Sequence, residues 1–368
     1  MFSFILLTTS CNNSINKIFA RKTPHEAYAR KIEDDSLRAL WIDASNKALI
    51  MSQPVELPYK ITGYFHVDKP RALALLFKAK HGQRINFEVA KKQVSNFILF
   101  ADLYRQEGTE WKHLLAVDTL DSVFAIDVEE TNNYLLRIQP GLNQEAEYEL
   151  SASISPSLGF PIAGSKGKTG SFWGDDRDGG KRNHEGIDIF AAKRTPVIAA
   201  TDGYITRVAE GGIGGKTIWV RAKSYDIHLY YAHLDSQMVS DGQMVKKGDT
   251  LGLVGNTGNA RFTPPHLHFG VYTSQGPIDP LPFVDRDIKT ATSVNAKHLK
   301  ELLVLKNPRL LKEDSLKPGT VLVPLARTKS GYIGELADGN VVHVPAAAVS
   351  PVSATSLSNK NNPVNGGG

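Results

Sequence analysis

The sequence GQMVKKGDTLGLVGNTGNA (242–260), followed by FTPPHLHFGVY (262–272), indicates the fold of the central part of the chain. In the first segment, five glycines separate single hydrophobic positions, which is typical of short strands joined by tight turns. The second segment is strand-like, so His266 and His268 are expected to point to the same face. Their Cα atoms would lie about 6.5–7 Å apart. We therefore predict a β-domain that presents two histidines side by side.

The motif HEGID (184–188) contributes two more polar side chains of interest. A regular strand would separate His184 and Asp188 by about 13 Å, which is too far for them to share an ion. Gly186 supplies the backbone freedom for a bend that brings both side chains together. The motif superficially resembles HExxH, but an aspartate stands where the second histidine would be, so Glu185 is expected to face solvent.

A third histidine motif, YYAHL, lies within DIHLYYAHL (226–234). Alternation along this predicted strand places His233 on the same face as Tyr231 and Leu229, and His228 on the other. We therefore expect His233 to face the site and His228 to point away from it.

These residue types indicate metal chemistry. Two histidines and one aspartate would leave the fourth position of a tetrahedral zinc open, which is typical of a catalytic rather than a structural zinc. Zinc lowers the pKa of a bound water to about 7. Two further histidines nearby could accept a proton and stabilise an oxyanion. The residues therefore predict metal-assisted hydrolysis of a carbonyl compound and do not name the substrate.

The order of these motifs resembles that of the LytM/lysostaphin-type metallopeptidases, peptidase family M23. The resemblance begins at FWGDDRDGGKRNHEGIDIFA (172–191) and continues through TPVIAATDGYI (195–205), YYAHL and TPPHLHFGVY. Members of the family are zinc endopeptidases that cut peptide cross-links in bacterial cell walls. The resemblance therefore implies one zinc per chain and peptidoglycan stem or cross-bridge peptides as the substrate. By position it implies these roles: zinc ligands His184, Asp188 and His268, and catalytic histidines His233 and His266.

The chain departs from some relatives upstream of the first ligand. Those relatives use a tyrosine there to stabilise the oxyanion, but here Phe172 and Trp173 occupy the region and no tyrosine lies between 160 and 184. The nearby basic residues Arg177, Lys181 and Arg182 either orient a peptide carboxylate or belong to a solvated loop.

Other classes of function fit the sequence less well. The phrase VKKGDTLG (245–252) resembles lipoyl and biotinyl carriers but lacks the residues that flank their modified lysine. Sugar-phosphotransferase carriers share an HxGxD phrase but lack HLH. Inactive family members that regulate other wall hydrolases by binding typically lose metal ligands, and this chain keeps all of them. A non-hydrolytic, cell-wall-binding regulator therefore remains the alternative only if the cleft is blocked.

Composition narrows the possible partners. The 368 residues include one cysteine, Cys11, which excludes a disulfide scaffold and a zinc site built from several thiolates. The net charge is +5, and the excess lies in residues 286–368 without the dense basic clusters of a nucleic-acid-binding protein. We therefore expect no nucleic-acid partner.

The chain is predicted to be mainly β, with several units. A helix is expected around His25–Asn46, and short alternating strands at 59–67, 71–79, 83–90, 96–104, 134–140 and 148–154 predict an antiparallel β-sandwich. The predicted boundaries are a leader and linker (1–29), the accessory β-sandwich (30–156), the peptidase domain with a β-sheet or barrel-sandwich fold (157–285), a helical linker (286–314), a small SH3-like β-module (315–351) and a disordered tail (352–368). The flanking β-domains are expected to position the enzyme or cover its cleft.

The predicted linker helix spans about 293–313, where Leu299, Leu302, Leu303 and Leu305 form an apolar stripe. At the other end of the chain, the start MFSFILLTTSCNNS resembles the end of a bacterial lipoprotein signal, in which the cysteine is lipidated. This indicates export to the cell envelope or periplasm, with membrane attachment through Cys11 or, alternatively, a plain secretory signal.

Overall fold

The computed structural model describes residues 22–92, 97–119, 122–164, 167–177, 179–288, 290–310 and 315–352, and about half of them lie in strands, nearly all paired antiparallel. The predicted mainly β class is therefore confirmed. Cys11 and residues 353–368 lie outside the described residues, and so do the predictions of a lipidated leader and a disordered tail. None of the described helices has both the length and the apolar character needed to cross a bilayer.

The N-terminal helical region consists of two helices, α1 (Pro24–Ala29) and α2 (Asp35–Ile50), rather than the single helix predicted around His25–Asn46. Thr23 caps α1 in a capping box with Glu26. The carboxylate of Asp34 accepts hydrogen bonds from the backbone N–H groups at the start of α2. The second cap explains why the helical region is interrupted, because an N-cap residue has an extended backbone.

Two sheets follow and pack face to face as the predicted sandwich. Their strands are β1 (Gln53–Pro54), β2 (Tyr59–Phe65), β3 (Leu73–Ala79), β4 (Gln83–Lys91), β5 (Leu99–Glu107), β6 (Glu110–Thr119), β7 (Ser122–Asp127), β8 (Asn132–Pro140) and β9 (Ala146–Pro156). One sheet has the order β1-β3-β8-β5-β6, and the other includes β2-β9-β4-β7. Alternating side chains from both sheets, including Phe65, Phe87 and Leu136, form one buried core. All six predicted strands are present, with ends displaced by a few residues.

A second β-unit contains the histidine motifs. Its elements are β10 (Lys168–Ser171), β11 (Asp176–Arg177), β12 (Arg182–Asn183), β13 (Ile187–Phe190), β14 (Pro196–Ile198), β15 (Gly203–Gly211), β16 (Gly215–Ala222), β17 (His228–Gln237), β18 (Met244–Val245), β19 (Thr250–Val254), a 3₁₀ turn (Gly258–Phe262), β20 (His266–Thr273), β21 (Gly276–Ile278) and α3 (Leu281–Val284). The main sheet has the order β10-β13-β20-β17-β16-β15-β18, and β14 joins it through β19. One face of this sheet is buried in its own core, which leaves the other face for the site.

The segment after residue 285 corrects the prediction of a helical linker. The described residues from 290 to 310 contain no helix, and Leu302–Leu305 form the strand β22. Leu303 and Leu305 are buried while their neighbours are only partly so, which is the period of two of a strand. The leucine stripe was compatible with both periods, and the ladder that β22 forms with other C-terminal strands favours the extended form.

The C-terminal strands are hydrogen-bonded to the sandwich. They are β22, β23 (Arg309–Leu310), β24 (Ser315–Leu316), β25 (Val321–Arg327), β26 (Gly331–Glu335), β27 (Val341–Pro345) and β28 (Val349–Val352), with a 3₁₀ turn at Ala346–Ala348. Strand β25 pairs with β2, with Thr62 opposite Arg327 and Gly63 opposite Ala326. The strands predicted as a small SH3-like module therefore extend one sheet of the sandwich. Because β2 and β25 pair with each other, the second β-unit is inserted in sequence between the two segments that form this sheet.

Candidate metal centre

Three adjacent strands place the central residues of the site in one row. Asp188 on β13 lies opposite His268 on β20, which in turn lies opposite Ala232 on β17. Along β20, Leu267 and Phe269 are fully buried in the core below. Because side chains alternate along a strand, His266 and His268 therefore point together to the other face, as the sequence predicts.

His184 approaches this row from the loop before β13, next to Gly186. A Cβ atom at Gly186 would lie 2.6 Å from Cε1 of His268 and 2.7 Å from the carbonyl oxygen of Phe269. The glycine is thus required for close approach of the His268 ring. The chain bends at Gly186, as the sequence predicts, and across this bend His184 Nε2 comes within 3.1 Å of Asp188 Oδ1. The missing side chain also leaves the space that the His268 ring needs.

Three side-chain atoms form a nearly equilateral triangle. His184 Nε2 lies 3.0 Å from His268 Nδ1 and 3.1 Å from Asp188 Oδ1, and the latter two atoms are 3.1 Å apart. Zinc bonds of about 2.0–2.1 Å in tetrahedral geometry would place ligand atoms about 3.3 Å from one another. Two imidazoles and one carboxylate also form a donor set that zinc accepts. The three residues therefore fit a zinc ion, and they form the one cluster of this kind found in the described residues.

Neighbouring groups orient two of these three side chains. Nδ1 of His184 donates to the carbonyl oxygen of Phe172 at 2.8 Å, which leaves the lone pair of Nε2 directed into the triangle. Oδ2 of Asp188, which faces away from the triangle, accepts a hydrogen bond from Nη2 of Arg177 at 2.9 Å. Both contacts come from the segment 171–177.

The other two histidines of the predicted site lie beside the triangle. Nδ1 of His266 donates to the carbonyl oxygen of Pro264 at 2.8 Å, and Nδ1 of His233 donates to that of Thr257 at 2.9 Å. The two ring centroids are 5.0 Å apart, and Nε2 of His266 is 3.9 Å from Asp188 Oδ1. Both imidazoles therefore keep an Nε2 lone pair available for proton transfer.

His233 reaches the cleft by a route that strand alternation does not predict. Leu229 and Tyr231 are fully buried in the core, on the face opposite to the cleft. Between Tyr231 and Leu234, β17 contains one residue more than β16 opposite it, and His233 has a left-handed φ of 62°. This β-bulge turns His233 to the cleft face. The predicted grouping of His233 with Tyr231 and Leu229 is therefore wrong, although His233 does face the site.

Burial and neighbouring charges set the protonation states here. Burial alone would raise the pKa of Asp188, but its close contacts with the imidazoles of His184 and His268 hold that pKa well below its usual range. Burial lowers the pKa of His233 to about 4, with a further contribution from repulsion by the other histidines. Burial also lowers the pKa of His268. At neutral pH the carboxylate is therefore charged and these two imidazoles are neutral, as metal ligands and proton acceptors must be.

The triangle opens into a cleft of about 560 Å³. Among the described residues, those that line it all lie between 171 and 272, so no side chain from the sandwich covers it. Arg177 and Arg182 are part of the lining, and Lys181 is exposed. A second cavity of about 620 Å³ lies between the sandwich and this unit, and none of the five predicted site residues lines it.

Sequence reasoning missed an aromatic platform beside the triangle. Tyr230 and Tyr272 line the cleft, and their rings lie 4.5 Å and 4.9 Å from that of Trp219. Tyr272 is four residues after His268 on the same strand, so alternation could have found it. The contact of Arg177 with Asp188 was also missed, because no local spacing connects a hairpin to the strand that it faces.

The segment that contains these residues is similar in sequence to known proteins. Residues 182–280 match Peptidase family M23. The chain is 38% identical over 124 residues to an L-Ala--D-Glu endopeptidase of Bacillus subtilis, covering 30% of this chain and 38% of the relative. It is 34% identical over 114 residues to the peptidoglycan DD-endopeptidase ShyB of Vibrio cholerae, covering 31% and 26%. The chain thus spans less than half the length of these curated relatives.

Among solved structures, the catalytic domain of lysostaphin from Staphylococcus simulans is 32% identical. The alignment covers 32% of this chain and 91% of that domain, with a TM-score of 0.29.

Proposed function

We propose that the protein is a zinc endopeptidase that hydrolyses peptide bonds in peptidoglycan, and the match of residues 182–280 to peptidase family M23 supports this proposal. The observation that carries the proposal is the triangle of His184 Nε2, Asp188 Oδ1 and His268 Nδ1, with sides of 3.0–3.1 Å at the wall of a cleft. The similarity to an L-Ala--D-Glu endopeptidase and to a peptidoglycan DD-endopeptidase supports a cell-wall peptide as the substrate.

The triangle would hold one zinc ion. When bound, zinc would polarise the scissile carbonyl and lower the pKa of a water molecule to about 7. His184, Asp188 and His268 would supply the three protein ligands, and the open cleft leaves room for the fourth position. The low pKa of Asp188 keeps its carboxylate ionised, and the lowered pKa of His268 keeps that imidazole free of a competing proton.

His266 and His233 would handle the protons of the reaction. Each is fixed by a backbone carbonyl at Nδ1, so each presents Nε2 to the cleft. A neutral imidazole can accept a proton from the attacking water, and the resulting imidazolium can donate to the oxyanion or to the leaving amine. The two histidines, with centroids 5.0 Å apart, would share these roles.

The accessibility of the cleft favours hydrolysis over the alternative of a non-hydrolytic regulator. That alternative requires a blocked site or missing ligands. Here the ligand set is complete, and the described sandwich residues do not line the cleft. An enzyme of this specificity would act in the cell envelope, where its substrate is, so we also propose export, with lipidation of Cys11 as one route of attachment.

The test is release of soluble fragments from purified peptidoglycan by the zinc-loaded protein, with fragments identified by mass spectrometry. His268→Ala should abolish release because it removes a ligand. His228→Ala is the matched control. His228 shares the cleft-side face of β17 with Tyr230, contrary to the prediction that it points to the other face, but it lies opposite Tyr272, four residues along β20 from His268, and it does not line the cleft. The variant should therefore release fragments as the parent does. The masses would also identify the bond that is cut.

Two outcomes would contradict the proposal. A parent protein that binds one zinc per chain and releases nothing would be a wall-binding regulator. A parent that binds no zinc would exclude the metallopeptidase mechanism.

A further inference from the structure

The hairpin formed by β11 and β12 places an arginine against a proposed metal ligand. Arg177 and Arg182 are paired across this hairpin, and the Arg177 side chain extends toward β13. Its Nη2 atom donates to Oδ2 of Asp188 at 2.9 Å and to Oγ of Ser171 at 2.6 Å. The arginine side chain is 29% exposed and that of Asp188 12% exposed, so the pair lies partly out of water.

The two oxygens of Asp188 therefore have different partners. Oδ1 faces His184 and His268, at 3.1 Å from each. Oδ2 is held by the guanidinium of Arg177. A charge-assisted hydrogen bond of this length fixes the plane of the carboxylate and keeps one oxygen turned away from the triangle.

The same segment also supports a second ligand. Ser171 Oγ, which accepts from Arg177, donates to Oδ2 of Asp175 at 2.9 Å, and the same oxygen accepts from the backbone N–H of Phe172 at 2.7 Å. The carbonyl oxygen of Phe172 in turn accepts from Nδ1 of His184. The segment 171–177 is thus one hydrogen-bonded unit that contacts two of the three ligands from outside the triangle.

We infer that Arg177 is a positioning residue, which makes Asp188 a ligand through Oδ1 alone and so keeps the fourth position of the metal open. The inference rests on the proposed metal site. It differs from the expectation that this arginine orients a peptide carboxylate, because its two closest partners, Asp188 and Ser171, belong to the protein. Outer contacts of this kind typically change metal affinity by about 10- to 100-fold.

The experiment measures zinc affinity of the full chain by competition with a chromogenic chelator. Arg177→Ala should weaken zinc binding by about 10- to 100-fold. Arg177→Lys retains the charge but not the fork of donors, so it should give an intermediate loss. Arg261→Ala is the matched control, because that guanidinium lies over the ring of Phe262 at 4.8 Å, and it should bind zinc as the parent does.

A second readout is the visible spectrum of the cobalt-substituted protein, which reports coordination number. The parent should show the intense bands of a four-coordinate ion. Arg177→Ala should show weaker bands, because the freed Oδ2 of Asp188 can also coordinate. If Arg177→Ala fails to fold by circular dichroism, the spectrum of Arg177→Lys decides instead.

If Arg177→Ala leaves both the zinc affinity and the cobalt spectrum unchanged, the inference is wrong. If the variant changes only the KM for the peptide substrate, by raising it, Arg177 is a substrate contact. A parent that binds zinc but does not release peptidoglycan fragments would defeat the proposed function while leaving this result interpretable. The two failures are therefore distinguishable.

Discussion

Two buried aspartates of this chain, Asp102 in the sandwich and Asp188 in the second β-unit, have the same kinds of partner. Each carboxylate contacts an arginine and at least one histidine. The pKa of each is lowered by these contacts even though burial opposes the shift. The residue types alone would therefore not say which of the two is a metal site.

The difference lies in how the partners are directed. At Asp102, Arg137 holds Oδ2 at 2.8 Å and His113 contacts Oδ1 at 3.2 Å. Arg137 also donates to Ser45 on α2 at 2.9 Å, which closes the network beneath that helix. At Asp188, two imidazole nitrogens and one oxygen converge on a point at the wall of an open cleft. Convergence of acceptors toward an accessible point, and not the presence of His, Asp and Arg, is what marks a metal site.

The largest effect is expected from Asp188→Ala. Zinc binding and peptidoglycan release should both be lost, because two imidazoles alone hold zinc poorly. In the metal-free protein the free energy of unfolding should change little. The substitution removes a carboxylate that points toward other acceptor atoms, and water can solvate the guanidinium of Arg177 once this partner is gone. Chelator competition, fragment release and urea unfolding would measure the three quantities. Retained stoichiometric zinc in this variant would remove the distinction between the two aspartates.

Asp102→Ala should have the opposite profile. It leaves the buried charge of Arg137 without its partner, a loss that typically costs about 3–5 kcal/mol of stability. Urea unfolding followed by circular dichroism would measure it, and zinc affinity should stay at the parental value. Asp226→Ala is the control, because its ion pair with Arg221 is largely exposed and should cost at most about 1 kcal/mol. Equal losses in the two variants would contradict a structural role for the Asp102 network.

Much of this architecture could be predicted from local patterns. Period-two alternation gave the sandwich strands, and the HLH spacing on β20 gave the shared face of His266 and His268. The orientation of His233 could not be derived in that way, because one extra residue in β17 reverses the alternation. Such a bulge depends on the pairing of two strands and has no local signature here.

Pairing between segments distant in sequence explains why the linker helix and the separate C-terminal module were wrongly predicted. The leucines at 299–305 fit either a helix or a strand, and only their partners in β25 and β28 decide the matter. The pairing of Thr62 with Arg327 joins segments that are more than 260 residues apart. The contact of Arg177 with Asp188 joins residues close in sequence, but it too follows no local period, because it depends on where a hairpin packs.

The smallest expected effect concerns His25, a buried residue of α1 that lies near Asp102. Its ring stacks on Trp41 with centroids 4.2 Å apart, and its Nε2 donates to Oε1 of Gln139 at 2.6 Å. Burial, with repulsion from Arg137, lowers the pKa of His25 below its ordinary 6.5. As pH falls below 6.5, the unfolded chain therefore takes up the proton before the folded one does. The contribution of His25 to stability is present above that pH and is lost as pH falls toward the folded-state pKa.

The measurement compares urea midpoints of the parent and His25→Gln at about pH 7.5 and about pH 5.5. Other groups titrate over this pH range in both proteins. The difference between the parent and the variant in how the urea midpoint changes with pH therefore isolates the contribution of His25. The parent should lose more stability on acidification than the variant, and the fluorescence of Trp41 should report the change near α1. Identical pH dependences would show that His25 takes up its proton equally in both states. In that case the burial of His25 between α1 and the sandwich would not resist protonation of this histidine, and the network around Asp102 would be less closed than its hydrogen bonds imply.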